Sequence, residues 1–390
     1  MRLGLRSPLD GPFNRAPFWA AGASRVTYLA PTFVITSGTD PDVECTVELD
    51  SAIEAVFAAG DTLTFAWTGT TSGSHVHTVT SGDVSALPSP IAFAIPTFSP
   101  GTYSVTVQYD GPTGNSPQSN AEALTVVAAF HPDDVFGAGD VGFMFDFTDV
   151  SRMTIGTDGT GGAPAANLDN VGRVTSTADG VTRHISATTD AKRPKLYNSG
   201  GVLGLTFDGS DDCLVGNSWN FSGGGATGTL MAAFLDNNSG TSAYMICEAN
   251  TNYNSNANAI AHFMSSGTAG NVVWGARGGA TAASISATSG KTRPAASVTH
   301  CEFLMSGASH AAMFVNEEVD GAAATTSSAG TATAGSHFGT HIWYFGARGN
   351  STLFANARLY AIFFIDRALT SQEKSDVETW MAAKAGVTLS

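Results

Sequence analysis

Charge is scarce in this sequence. Only 13% of its 390 residues are Asp, Glu, Lys or Arg, about half the usual share. Helix surfaces draw heavily on Glu and Lys, so this scarcity excludes a largely helical chain and points to strands with small polar outward faces. Basic residues are scarcest, with 18 Lys and Arg against 33 Asp and Glu and a net charge of −15. They are also scattered. A phosphate-binding surface needs them clustered, so no nucleic-acid partner is expected, and a polybasic membrane anchor is disfavoured on the same ground. No stretch approaches the ~20 apolar residues of a membrane span, so no membrane insertion is expected. Arg2 and Arg6 run into Pro8 and Pro12 with no apolar run between, which does not read as a secretory signal. Cys45, Cys213, Cys247 and Cys301 have neither C-x-x-C spacing nor the density of a disulfide scaffold, and are expected to be free buried thiols. Phosphate-binding glycine loops, Ser-centred elbows and paired-cysteine metal motifs are absent too.

What the chain does have is short alternating strands and 44 glycines. The clearest signal runs from Val202 to Gly216. Leu203, Leu205 and Phe207 alternate with Gly204 and Thr206, Asp208-Gly209 makes a turn that Asp211 and Asp212 keep wet, and Cys213-Leu214-Val215 resumes an apolar strand. This F-D-G-x-D-D-x-L stretch resembles one common in concanavalin A-like (LamG-type) sandwich domains, which phages carry on virion proteins. Val141 to Asp149 looks like that family's opening strand, and Arg193-Pro194-Lys195-Leu196 falls where the family expects it. Further strands are read at Thr229–Leu235, Ala259–Met264, Val272–Ala276, Cys301–Met305 and Ala311–Val315, with a hairpin turn over Asn316–Gly321. Ile342–Arg348 and Ala357–Ile365 give two more, the latter apolar on both faces and therefore needing cover on both sides. The cover is expected from one helix. Thr370 and Glu373 form a capping box, Gly386 is the stop, and Val377, Trp380, Met381 and Ala385 share a face. The D-R-A-L-T…E…G ending, Asp366 to Gly386, is similar to the end of these domains.

Ahead of this lies a second pattern. From Val26 to about Ala128, strands such as Val43–Leu49, Leu63/Phe65/Trp67 and Tyr103/Val105/Val107/Tyr109 resemble an immunoglobulin-like sandwich. That resemblance puts Cys45 on the second strand, Trp67 on the third and a tyrosine corner at Tyr103. Val105 stands where an antibody domain has its second cysteine, so no bridge is implied. The expected organisation is an anchoring arm at 1–25, an immunoglobulin-like domain at 26–128, a linker at 129–140 and a concanavalin A-like domain at 141–390. The whole is all-β with one C-terminal helix.

The arm cannot form a long helix through Pro8, Pro12 and Pro17, nor bury Leu3, Leu5, Phe13, Phe18 and Trp19 by itself. It is expected to anchor the chain on other virion proteins. The resemblance implies a virion protein assembled in the host cytoplasm, a homo-oligomer of the trimeric fibre kind, and most directly a tail fibre or tail-tip adhesion protein that touches a host surface glycan. A capsid decoration or head-fibre protein is the structural alternative. A glycan hydrolase is disfavoured. Hydrolysis needs two flanking carboxylates, and the only approximation is Glu318-x-Asp320 on an expected turn. The amide-rich loop Glu248–Asn258 is the candidate contact, with Asn250, Asn252 and Asn254 offering donors and acceptors to sugar hydroxyls and Tyr253 a ring to stack on a sugar. No cofactor is required. Asp208, Asp211 and Asp212 are the candidate calcium ligands, since some LamG-type relatives bind calcium. His75 and His77 share a strand face without a visible third ligand.

Overall fold

The computed structural model describes residues 26–33, 43–49, 57–69, 71–86, 91–95, 101–111, 114–115, 122–126, 130–221, 223, 226–237, 243–265, 271–288, 294–305, 314–324, 326–329 and 337–390. The arm residues Leu3, Leu5, Phe13, Phe18 and Trp19 lie outside these. The chain divides into two compact units, Met1–Ala129 and Phe130–Ser390, and in both every sheet is antiparallel.

In the first unit, Val26–Phe33, Val43–Leu49 and Ile91–Ile95 make one sheet in that order. Gly73–Thr78, Thr62–Gly69 and Gly101–Gly111 make a second, with Glu122–Val126 on the far edge of Gly101–Gly111. This is the strand division the immunoglobulin-like resemblance implies. Alternation sets the faces: Tyr103, Val105, Val107 and Tyr109 are buried with Leu63 and Phe65. The Tyr109 hydroxyl donates to Asp61 Oδ2 at 2.6 Å, and the same oxygen accepts the Ala58 N–H. Trp67 departs from the immunoglobulin pattern. It is only half-buried, its ring lying on Gly73 of the neighbouring strand. His77 bonds Asp83 at 3.0 Å.

In the second unit, the described residues form two large sheets. One is ten-stranded, in the order Met153–Thr154, Arg173–Ser176, Arg183–Ser186, Leu214–Asn220, Thr340–Phe345, Tyr244–Ala249, Ala259–Met264, Asn271–Arg277, Ala282–Thr288 and Thr326–Ala329. The other runs Lys195–Ser199, Val202–Asp208, Asn356–Ile365, Thr227–Asp236, Ala295–Leu304, Phe314–Val319 and Ala322–Ala323, and Gly142–Asp146 joins it beside Asn356–Ile365. Between the sheets lies an aromatic core. Phe143 is its hub, with the rings of Phe145, Trp219, Trp343, Phe345 and Phe364 at centroid distances of 5.0–5.8 Å.

The Asn356–Ile365 strand is buried on both faces, as its composition requires. Ala357, Leu359, Ile362 and Phe364 enter the inter-sheet core, while Tyr360, Ala361, Phe363 and Ile365 enter a second cluster with Val377, Met381, Ala382 and Ala385 of the helix Ser371–Ala385. A bulge opposite Ala233 and Phe234 makes the switch of parity. The helix begins as expected: Thr370 accepts the Glu373 N–H, Glu373 accepts the Thr370 N–H, and Gly386 closes it at φ 66°. Trp380 is half-buried, edge-on to His131 at 5.1 Å.

Two expectations are corrected. Residues 130–140 are no free linker. Pro132–Val135 is a capped 3-10 turn, and Val135, with Phe130 and Phe136, packs in the helix-side cluster. Arg367 fastens this segment, donating to Asp140 at 3.0 Å, to the Val135 carbonyl at 2.9 Å and through both terminal nitrogens to Glu373. The hairpin turn is also shorter than the composition suggested. Phe314–Val319 stays a strand through Glu318, and only Asp320 and Gly321, at φ 56° and 79°, make the turn.

Since Phe143 lies among six aromatic rings, Phe143→Ala is expected to destabilise the second unit by ~3–5 kcal/mol. Chemical denaturation followed by tryptophan fluorescence checks this, because Trp219 and Trp343 sit in the same cluster. A loss below ~1 kcal/mol would contradict the assigned core.

Candidate functional site

Pairing with the core strands fixes which side chains reach the outer face of the ten-stranded sheet. Cys247 and Ala249 point into the inter-sheet core, so Glu248 between them points outward, opposite Tyr344. Trp274 likewise fills the core, and Gly275 next to it leaves the outer surface bare. The ring of Tyr253 occupies that space, so close that a Cβ on Gly275 would sit 2.6 Å from it. The segment after Glu248 is therefore pulled back over its own sheet.

Glu248 holds it there. One carboxylate oxygen accepts the Tyr253 N–H at 2.7 Å and lies 3.4 Å from Arg348 Nε, and the Arg348 guanidinium stands 5.6 Å from the centre of the Tyr253 ring. The other oxygen, Oε2, is buried with no hydrogen-bond partner. Burial pushes the carboxyl up to about 7, against the lowering pull of the Tyr253 N–H and Arg348. Arg277 donates to the Asn254 carbonyl from the neighbouring strand, and the Tyr253 hydroxyl bonds Ser284 and Asn254.

The expected contact residues thus divide. Tyr253 is 5% exposed, so it offers no face for a sugar to stack on. Polar neighbours suggest an exposed ring, but a hollow over Gly275 takes it in. Asn250 sits in the left-handed region at φ 70°, gives its carbonyl oxygen to the Thr251 N–H and approaches His341 Nδ1 with its amide at 3.2 Å. Asn252 accepts the Asn254 N–H at 2.9 Å and is half-buried. Asn254 is exposed, as are Thr251 and Ser255. Glu248 and Arg348 were not singled out, although a lone acid ending an apolar strand, Tyr244–Ala249, was the available signal.

At the other candidate, Asp208, Asp211 and Asp212 do converge, each with a carboxylate oxygen within 4.8 Å of the others. Much of this serves the turn: Asp208 accepts the Ser210 N–H at 2.8 Å and Asp212 accepts the Asp208 N–H at 2.9 Å. Burial, with the charges of Asp208 and Asp211 beside it, pushes Asp212 up to about 7. Three carboxylates suit the oxygen chemistry of calcium, which takes 6–8 such ligands, and binding there would first expel the Asp212 proton. The cysteines Cys213, Cys247 and Cys301 are free and buried, with burial pushing Cys213 up to about 12.

No family model and no curated protein matches this sequence. Among solved structures, the receptor-binding domain of botulinum neurotoxin D is 7% identical with a TM-score of 0.40, over 65% of this chain and 54% of that one. A GH54 α-L-arabinofuranosidase is 10% identical with a TM-score of 0.40, over 67% and 66%. A Trypanosoma rangeli sialidase in complex with sialic acid is 11% identical with a TM-score of 0.39, over 92% and 54%. The chain spans about half the length of the first and last of these. Likeness at this level says nothing of a ligand.

A carboxyl raised from 4.5 to about 7 keeps its proton in the folded chain where the unfolded chain has lost it. Its contribution to stability therefore falls as pH rises from about 4.5 to 7, by up to ~1.4 kcal/mol per unit, and is constant outside that window. Glu248→Gln lacks the ionisation. Denaturation across this range is expected to show the variant gaining on the wild type as pH rises; parallel curves would contradict the assigned state of Glu248.

Proposed function

We propose that this chain is an adhesion protein of a phage-type virion, a tail fibre or tail-tip component, that binds a host surface glycan on the outer face of its ten-stranded sheet. The observation that carries this is the 250–258 loop, fixed against that face by Glu248, Tyr253 and Arg348 while its Thr251, Asn254 and Ser255 stay exposed. A rigid rim of amides and hydroxyls bonds sugar hydroxyls without having to be ordered on binding. Half-buried Arg277 and Arg348 at its base add donors for an acidic sugar. The virion setting rests on the sequence resemblance of Val141–Leu389 to concanavalin A-like domains and on the apolar arm with Leu3, Leu5, Phe13, Phe18 and Trp19, which we assign to anchoring on other virion proteins.

Binding without cleavage is the form we propose. Among the described residues, Glu248 is the only acid in the strands of that sheet. A hydrolase needs a second carboxyl ~5–9 Å across the scissile bond, and Glu248 is itself closed off beneath Tyr253. Single sites built from a few hydroxyl and amide bonds bind weakly, so adhesion depends on several copies acting together, where avidity adds ~10² or more.

Ser255→Ala removes an exposed hydroxyl from the rim without touching the core. It is expected to weaken binding to immobilised bacterial surface polysaccharide by ~0.5–1.5 kcal/mol per site, multiplied across the oligomer, with the melting temperature unchanged. Polysaccharide bound equally by wild type and variant, or by neither, would overturn this placement of the glycan.

A further inference from the structure

A second cluster lies elsewhere in the same unit, beneath the C-terminal helix, and no part of the glycan reading uses it. His300 of Ala295–Leu304 and Glu318 of Phe314–Val319 are cross-strand partners. Glu378, on the helix that packs over these strands, comes down between them. One ligand atom from each of the three lies within 4.8 Å of the other two. His300 and Glu378 are 2% and 5% exposed, and Glu318 is half-buried. The imidazole is the telling group: its Nδ1 is buried with no hydrogen-bond partner, in a ring set beside the Glu318 and Glu378 carboxylates. A buried ring nitrogen without a partner is costly, and an imidazole set beside two carboxylates suits a cation.

We propose that His300, Glu318 and Glu378 form a binding site for a divalent transition-metal ion of the zinc or manganese class. One imidazole and two carboxylates are borderline-to-hard donors, the set that suits these ions, whereas calcium takes ~6–8 oxygens that the cluster does not provide. Glu318, whose side chain is 14% exposed, is the side from which water or an exogenous ligand would complete the coordination.

Lys374 holds the cation's place in the metal-free protein. It lies one helical turn before Glu378 and its ammonium is ion-paired to Glu318. Glu378 lies beside this ion pair. On metal binding Lys374, whose side chain is 28% exposed, swings outward.

The test uses the full chain after dialysis against chelator, titrated calorimetrically with zinc chloride and, separately, manganese chloride. One ion of at least one metal should bind per chain and raise the melting temperature. Glu378→Gln should cost at least the ~10–100-fold that loss of even an outer-shell partner costs, and should abolish the thermal shift. Lys374→Met should do the opposite and tighten binding, because it removes the competing ammonium; a merely structural ion pair would give destabilisation and no gain in metal affinity. Should Glu378→Gln not fold, the direction of the Lys374→Met effect decides alone. No uptake of either metal, uptake indifferent to Glu378→Gln, or weaker uptake in Lys374→Met would each overturn the site.

Discussion

The second unit depends on one constraint: the strand Asn356–Ile365 is apolar on both sides and must be covered on both. The ten-stranded sheet covers one side and the helix Ser371–Ala385 the other. Everything that fastens the helix follows from this need, from the Thr370–Glu373 cap to the fork of Arg367 and the packing of Val135 and Phe136. It also decides where function is possible. The outer face of the sheet beneath the helix is occupied, so the outer face of the ten-stranded sheet is the broad surface left for a loop to build on.

Sparse charge gives the remaining ionisable groups unusual weight. With only 13% of residues charged, a buried carboxyl meets few counter-charges, and burial pushes Glu248, Asp212 and Glu378 each up to about 7. Each solves the problem differently. Glu248 takes a backbone N–H and leans on Arg348, Asp212 serves a turn, and Glu378 lies beside the Lys374–Glu318 ion pair. Only the first and last leave a buried nitrogen or oxygen unsatisfied nearby, at Glu248 Oε2 and His300 Nδ1.

Local periodicity made most of this fold legible. The alternation of Leu203, Leu205 and Phe207, the doubly apolar run to Ile365 and the cap at Thr370 are each set by neighbours within a few residues, and each stands where it was expected. What was misjudged depends on distant residues. Tyr253 looked like a surface aromatic because the hollow that buries it is made by Gly275 on another strand. Glu318 looked like a turn acid, yet pairing with His300 keeps it in a strand. The union of His300, Glu318 and Glu378 has no local signature at all, since two strands and a helix must first be assembled. Residues 130–140 read as a linker because Pro132, Gly137 and Gly139 break the pattern, while their docking relies on Arg367 far along the chain.

That the open face of the ten-stranded sheet is the ligand-binding surface can be tested by hydrogen exchange on the full chain, with and without surface polysaccharide from a bacterium to which the protein adheres. The account predicts slower exchange at residues 250–258 and along Asn271–Arg277, with the helix Ser371–Ala385 unchanged. Protection confined to the first unit or to the helix, or none at residues 250–258, would contradict it.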